Sequence, residues 1–355
     1  MPGLVQAVVK AQRMHSELSD PASPSAWLAL GDQREQQGDR LGALRAWFRA
    51  VTSAQLSGLW IDAASTPAAL LDSVVHAIEQ VRLRRRELYF GAYEDLRREF
   101  GGPALERVDR ALSAHLREGD GIPADPRQRP RFFYFPDLPS RPYLDPDAQP
   151  WAATVRDAFA TIRSEAIGLL RDEKQPFEDF IRVRKGDRIE NYLGGTLPTW
   201  EAFFFYRHGV RYDANHARCP GTSRALESIE LCNIADHAPE ICFSILKPGT
   251  HILPHYGVTN VRSVMHLPLI VPTACALNLI DVGEHHWREG ELMMFDDTFQ
   301  HEAWNRSREI RVVLLMDCWN PDLTVVERRA VTQLIETIGA LHRAARASDK
   351  DRVPP

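Results

Sequence analysis

An α+β multidomain protein, with an N-terminal α-helical repeat-like module in front of an antiparallel barrel or jelly-roll domain, is the architecture these 355 residues predict. Three observations carry that reading. Over the first 120 residues, rich in Ala, Leu, Arg, Glu and Gln, apolar residues recur at helical spacing, as in Leu70, Leu71, Val74, Val75, Ile78 and Val81. Between residues 122 and 150 eight prolines fix φ and remove backbone donors, so neither a helix nor a central strand persists there. Beyond residue 170 the segments become short, apolar or alternating, and Gly, Pro, Asn and Asp turns divide them, as in antiparallel strands.

Taken in order, residues 1–120 form the helical module. Trp27, Leu30, Gly31, Ala43, Trp47 and Ala50 fall at offsets where two short antiparallel helices interlock small residues against large ones, and this stretch resembles one tetratricopeptide repeat. Any helical hairpin can share that spacing. A lone repeat cannot bury its own face, so the helices that follow, to about residue 116, are expected to complete the stack. Residues 121–150 read as a proline-rich linker. Residues 151–325 form the strand-rich domain, opened by a helix over 152–170 that gathers Val155, Phe159, Ile162, Ile167 and Leu170 on one side. Its strands are expected at 202–206, 240–246, 263–271, 292–295 and 311–318. A final helix fits residues 325–347, within a C-terminal helical segment 326–348, and 349–355 is a tail.

With 44% apolar and 26% charged residues, the composition is that of a soluble globular chain and not of a disordered or disulfide-knotted one. The 43 basic and 48 acidic residues are spread along the chain, leaving a net charge of −5 and no positive field to gather phosphates, which argues against nucleic acid as a partner. The first twenty residues lack the basic start and uninterrupted apolar run of an export signal. The most apolar stretch, 263–282, contains His266, Pro268, Pro272 and Asn278, so it reads as buried strands and no transmembrane span is expected. Five cysteines without a CxxC pair fit reduced thiols, and a cytoplasmic location is expected.

Three of the thirteen histidines stand out by position. His255 follows the turn Lys247, Pro248, Gly249, Thr250, and His301 follows Phe295 and the acidic turn Asp296, Asp297. Imidazoles at strand ends of a jelly roll can converge on a metal, as in cupin-like folds and iron(II) oxygenases. The third, His266, lies inside a strand whose alternation puts Asn260, Arg262, Val264 and His266 on one face. That polar face is either solvated or lines a wet lumen. Arg311 opens the apolar strand RVVLLMDCW, where a buried guanidinium needs a carboxylate. No Asp or Glu shares its face nearby, which favours the carboxylate of a ligand.

The strings RFFYFPDLPSRPY, ARCPGT, FSILKPGTHILPHYGVTNVRSVMHLPL, WREGELMMFDDTFQHEAWN and RVVLLMDCWNP, running from about residue 131 to 323, resemble the aspartyl/asparaginyl β-hydroxylase family of iron(II)- and 2-oxoglutarate-dependent oxygenases. The resemblance rests on several ordered blocks, unlike a lone HxH. It implies a double-stranded β-helix, commonly preceded by a helical repeat module. It also implies Fe(II) held by His255 and His301, with 2-oxoglutarate and O2 as cosubstrates. Where most such oxygenases have a carboxylate two residues after the first histidine, this chain has Gly257; the family shares that gap, with water in place of the carboxylate. Asp297 is implied to orient a bound water. Ser244 and Arg311 are implied to hold the distal carboxylate of 2-oxoglutarate, a planar group suited to an arginine fork. His266 would help to hold the carboxylate beside the iron.

The chain departs from the family pattern at one position: the second arginine of the Arg-x-Arg-x-His string is Val264, while Arg262 is kept. The loss of a cation there puts an aspartyl substrate in doubt and bears on 2-oxoglutarate binding, and Arg262, about 6 to 7 Å away on the same face, is expected to compensate in part. The resulting expectation is a dioxygenase that hydroxylates an unactivated C–H, at the β-carbon of an amino-acid residue in a peptide or protein. The alternatives are a free amino acid or a lipid-linked acyl group as substrate, or an inactive binding protein. The helical module would serve a protein partner.

Overall fold

The computed structural model describes residues 23–119, 121–181, 188–195 and 198–346. The N-terminal twenty residues read above for export signals, and the tail 349–355, lie outside them. The chain divides into two compact units, one made of residues up to Asp95 together with those from Thr337, the other running from Leu96 to Glu336. No helix among the described residues is long and apolar enough to cross a membrane.

The first unit begins with the helix Pro24–Gln36, whose Ser23 cap accepts a hydrogen bond from the Ala26 amide at 3.2 Å, with Pro24 at a position that needs no donor. It packs on Arg40–Leu56 at a close approach that glycine makes possible. A Cβ on Gly31 would lie 2.2 Å from Cδ1 of Trp47, whose indole donates to Asp32 at 2.9 Å. The helix Leu71–Gly91 turns Val74, Ala77 and Val81 inward. The stack is completed from the far end of the chain: residues from Thr337, in the helix Val325–Arg346, belong to this unit, and His342 meets the ring of Phe48 at 5.0 Å. The helix Glu106–His115, expected here, belongs to the second unit.

Eight strands frame the second unit: β1 (Trp200–Arg207), β2 (Ile241–Leu246), β3 (Thr250–His255), β4 (Arg262–Ile270), β5 (Cys275–Leu279), β6 (Met293–Phe295), β7 (His301–Asn305) and β8 (Arg311–Trp319). The larger sheet runs β6, β4, β8, β2, β1, and the smaller β5, β7, β3, with two- and three-residue strands at their edges. All these pairings are antiparallel, giving the jelly-roll class expected. The strict parity of a strand explains why β8 is apolar almost throughout. Val312, Leu314, Met316 and Cys318 join a core with Ile162, Ala166 and Leu169 of the helix Phe159–Arg171, while Val313 and Leu315 face the smaller sheet. The helix expected over 152–170 is two helices, Ala152–Asp157 and Phe159–Arg171, parted at Ala158.

The proline-rich stretch runs along this unit. Arg129 donates to the Thr298 carbonyl at 2.8 Å, Phe132 to that of Val258 at 2.9 Å, and Asp296 to that of Pro142 at 3.0 Å. Asn260, expected on the face of His266, instead exchanges two 2.8 Å hydrogen bonds with the backbone of Phe135. Prolines supply no donors, so the neighbouring residues satisfy this backbone.

Candidate active site

Between the inner faces of the two sheets lies a cavity of about 190 Å³. His255 closes β3 and His301 opens β7, and the two are direct partners across the ladder, with ring centroids 4.1 Å apart. Each ring is fixed the same way: Nδ1 of His255 donates to the Leu253 carbonyl at 2.8 Å, and Nδ1 of His301 to that of Phe299 at 2.9 Å. A carbonyl can only accept, so it places the proton on Nδ1 and leaves Nε2 with a free lone pair. Burial disfavours the imidazolium in both rings, lowering the His255 pKa and pushing that of His301 down to about 3. Two neutral imidazoles with free Nε2 atoms are donors suited to a divalent transition metal.

Among the described residues no three His, Cys, Asp or Glu side chains gather as a metal-binding group. Asp297 comes nearest to a third. It is buried, its Oδ1 has no partner, and its Oδ2 lies 3.3 Å from Arg262. Burial raises its pKa against the pull of Arg262. A buried carboxylate oxygen left without a donor is costly unless a cation or a water meets it, and this orphan fits a hydrated metal beside the histidine pair.

Arg262, Val264 and His266 all line the cavity, so the polar face of β4 is a lumen and not a solvated outer surface. Arg262 donates to Asp317 Oδ1 at 2.6 Å, and the other oxygen of Asp317 accepts from the Glu240 amide at 2.9 Å. Burial pushes the Asp317 carboxyl up to about 6 against the pull of Arg262. Burial likewise opposes the charge on Arg262, but its two carboxylates outweigh this and its net shift is upward, so the pair is ionised at neutral pH. One expectation is corrected here: Arg262 is already engaged and cannot stand in for the cation missing at Val264. Asp317 shares the inward face of Arg311 but lies six residues along β8, too far to pair with it.

At the opposite end of the cavity Arg311 is buried on β8, beside Ser244 of β2. Its Nη1 reaches the Ser244 Oγ and carbonyl at 3.4 Å, while the Ser244 Oγ also accepts from the Trp200 indole at 2.9 Å. The guanidinium stacks 5.0 Å above the ring of Trp287, its Nε is unpartnered, and no carboxylate pairs with it among the described residues. Burial lowers its pKa to about 10, which leaves it charged. The Trp287 Nε1 and the His266 Nδ1 are also orphaned, and the His266 pKa is depressed well below its usual value by burial and by Arg311. An unpaired buried arginine flanked by orphaned ring nitrogens is suited to a carboxylate. From Arg311 the ring contacts run through Trp287, His266 and Phe295 to His301, so the anion site and the histidine pair share one chamber.

Every predicted site residue therefore lines this one chamber: His255, His301, Asp297, Ser244, His266, Arg311 and Arg262. Sequence reasoning missed Asp317, Trp200 and Trp287. For Asp317 a signal existed, the two-residue alternation along β8. For the tryptophans there was none, because Trp287 sits in no strand and Trp200 opens a strand whose neighbours the sequence does not reveal.

The family model described as aspartyl/asparaginyl beta-hydroxylase matches residues 156–321. The human aspartate beta-hydroxylase domain-containing protein 2 is 34% identical over 69% of this chain and 64% of its own length. The ornithine lipid ester-linked acyl 2-hydroxylase of Rhizobium tropici is 35% identical over 52% of this chain and 62% of its own length. The human aspartyl/asparaginyl beta-hydroxylase is 30% identical over 50% of this chain and 21% of its own length. The chain thus spans less than two thirds of the length of these relatives. The matched segment carries the histidine pair and every other residue placed around the chamber above, and by that match residues 156–321 form a domain of the aspartyl/asparaginyl β-hydroxylase family.

Proposed function

We propose that the protein is an iron(II)- and 2-oxoglutarate-dependent dioxygenase that hydroxylates an unactivated C–H, at the β-carbon of an amino-acid residue in a peptide or protein. The observation that carries this reading is the single chamber with a histidine pair at one end and an unpaired buried arginine at the other. His255 and His301 would hold iron through Nε2. Arg311 and Ser244 would hold the distal carboxylate of 2-oxoglutarate, with His266 beside its other end. When bound, iron and 2-oxoglutarate together supply the oxidant: O2 is reduced, 2-oxoglutarate loses CO2 to become succinate, and one oxygen atom enters the C–H bond.

The chain's own contribution is positional. The Leu253 and Phe299 carbonyls fix the histidine tautomers, Asp297 offers an acceptor to a water beside the metal, and the apolar walls of Phe295 and Leu315 limit bulk water. A lipid-linked acyl group is the second substrate reading, favoured by the likeness to the Rhizobium tropici acyl hydroxylase. The test is succinate release with iron(II), ascorbate and 2-oxoglutarate, with and without peptide or lipid. No succinate under any of these conditions would leave a binding protein in place of an enzyme.

A further inference from the structure

Resting on that dioxygenase reading, we propose that the group presented to the histidine pair is an uncharged alkyl chain and that a carboxylate-bearing side chain is excluded. The lining of the chamber carries this. Its cations are Arg262 and Arg311, and its carboxylates are Glu240, Asp297 and Asp317. Arg311 lies at the far end, where the distal carboxylate of the cosubstrate would take it. Arg262 is held at 2.6 Å by Asp317 and at 3.3 Å by Asp297. Among the described residues no lining cation then remains for a second carboxylate, and three resident ones repel it.

Apart from Asp317, what surrounds the vacancy left by the missing arginine is apolar. Val264 is the direct ladder partner of Phe295 on one side and of Asp317 on the other, and Leu315 is the partner of the next lumen residue, His266. Ile252, Leu277 and Ala303 of the smaller sheet complete the wall opposite. An alkyl chain gains by burial here, whereas a carboxylate beside Val264 would lose its hydration with no uncommitted cation among the described lining residues to replace it. A charge-assisted hydrogen bond of about 1.5 to 3 kcal/mol, absent here, corresponds to about a 10- to 150-fold penalty.

The alkyl chain could belong to an apolar residue or to an acyl group, and the experiment separates them. The full chain, loaded with iron(II) and 2-oxoglutarate without oxygen, is titrated by calorimetry with three probes: a capped alanine heptapeptide with Leu at its centre, the same peptide with Asp, and octanamide. Oxygen is then admitted and succinate and hydroxylated product are measured. The Leu peptide or octanamide should bind at least tenfold more tightly than the Asp peptide, and Val264→Arg should narrow or reverse the difference. Tighter or equal binding of the Asp peptide overturns the proposal, as does failure of all three to bind. Binding of the alkyl probes without succinate would overturn the dioxygenase reading while sustaining this one.

Discussion

The carboxylate of Asp297 fills the space into which a side chain at Gly257 would grow. A Cβ on Gly257 would lie 2.1 Å from its Oδ1 and 2.3 Å from its Oδ2, and the Gly257 amide donates to the Asp297 carbonyl at 2.6 Å. The glycine two residues after His255 is thus a steric condition for bringing a carboxylate in from another loop. Gly257→Ala should force Asp297 away from Arg262 and cost about 1 to 3 kcal/mol by overpacking. Combining it with Asp297→Ala should recover part of that loss, a coupling of at least about 0.5 kcal/mol in a double-mutant cycle read by denaturant unfolding. Additive losses would show that the two positions do not compete for space.

His255→Ala and His301→Ala are each expected to abolish turnover while leaving the secondary structure by circular dichroism unchanged, because a pair of protein ligands cannot lose one and keep catalytic iron. Metal titration of the variants, followed by tryptophan fluorescence, gives a readout apart from activity, since Trp287 lines the same chamber. A variant that still bound iron and made succinate at the wild-type rate would refute the ligand assignment.

For Arg311→Ala the expected outcome is a 2-oxoglutarate affinity weaker by about 10- to 150-fold, the loss of a charge-assisted contact. Arg311→Lys should recover little, because an ammonium offers a point charge in place of the fork that stacks on Trp287. An unchanged cosubstrate titration in both would make this arginine structural only.

Removing one partner of the Arg262–Asp317 pair should be costly. Asp317→Leu is expected to destabilise by about 3 to 5 kcal/mol, because it strands a buried guanidinium with Asp297 alone, and Arg262→Met with Asp317→Leu should cost less than either single change. Chemical denaturation of the four proteins decides it.

Acid should act through buried neutral imidazoles. His266 has a folded pKa well below the ~6.5 of an exposed histidine, so the unfolded chain binds the extra proton first. The stabilisation is full above ~6.5 and is lost as the pH falls below it, at up to about 1.4 kcal/mol per pH unit. Asp296 and Asp317, raised by burial to about 6, work in the opposite sense, because the folded state takes up their protons first. The contribution of His266 is therefore read as a difference: His266→Gln should lose less stability than wild type between pH 6.5 and 4.5. Parallel curves would show that His266 does not resist protonation.

The shared face of Arg262 and His266 was legible because side chains alternate along β4, whereas only the pairing of the two sheets shows that this face is a lumen and not a solvated surface. The same rule applied to β8 would have revealed Asp317, but a six-residue separation along a strand spans some 20 Å, and only the antiparallel pairing of β4 with β8 shows which cation it meets. The partition of the chain was hidden for a different reason. Residues 121–150 look like a spacer by composition, yet their backbone bonds to Val258 and Thr298, and the last helix gives its end to the N-terminal unit. Composition reports local stiffness, not the distant partners that satisfy a backbone.

The two histidines face each other across one rung of the β3–β7 ladder, next to an irregularity in register between His301 and Ala303. A metal bound between them would be a cross-link between adjacent strands, placed where the ladder is least regular. Its affinity then enters the opening free energy of that strand pair directly, as ligand binding does for any state that only the closed form can hold. Amide hydrogen exchange along β3 and β7 should slow on metal addition far more than exchange along β2 and β8, which makes the sheet itself a reporter of occupancy in the absence of any substrate.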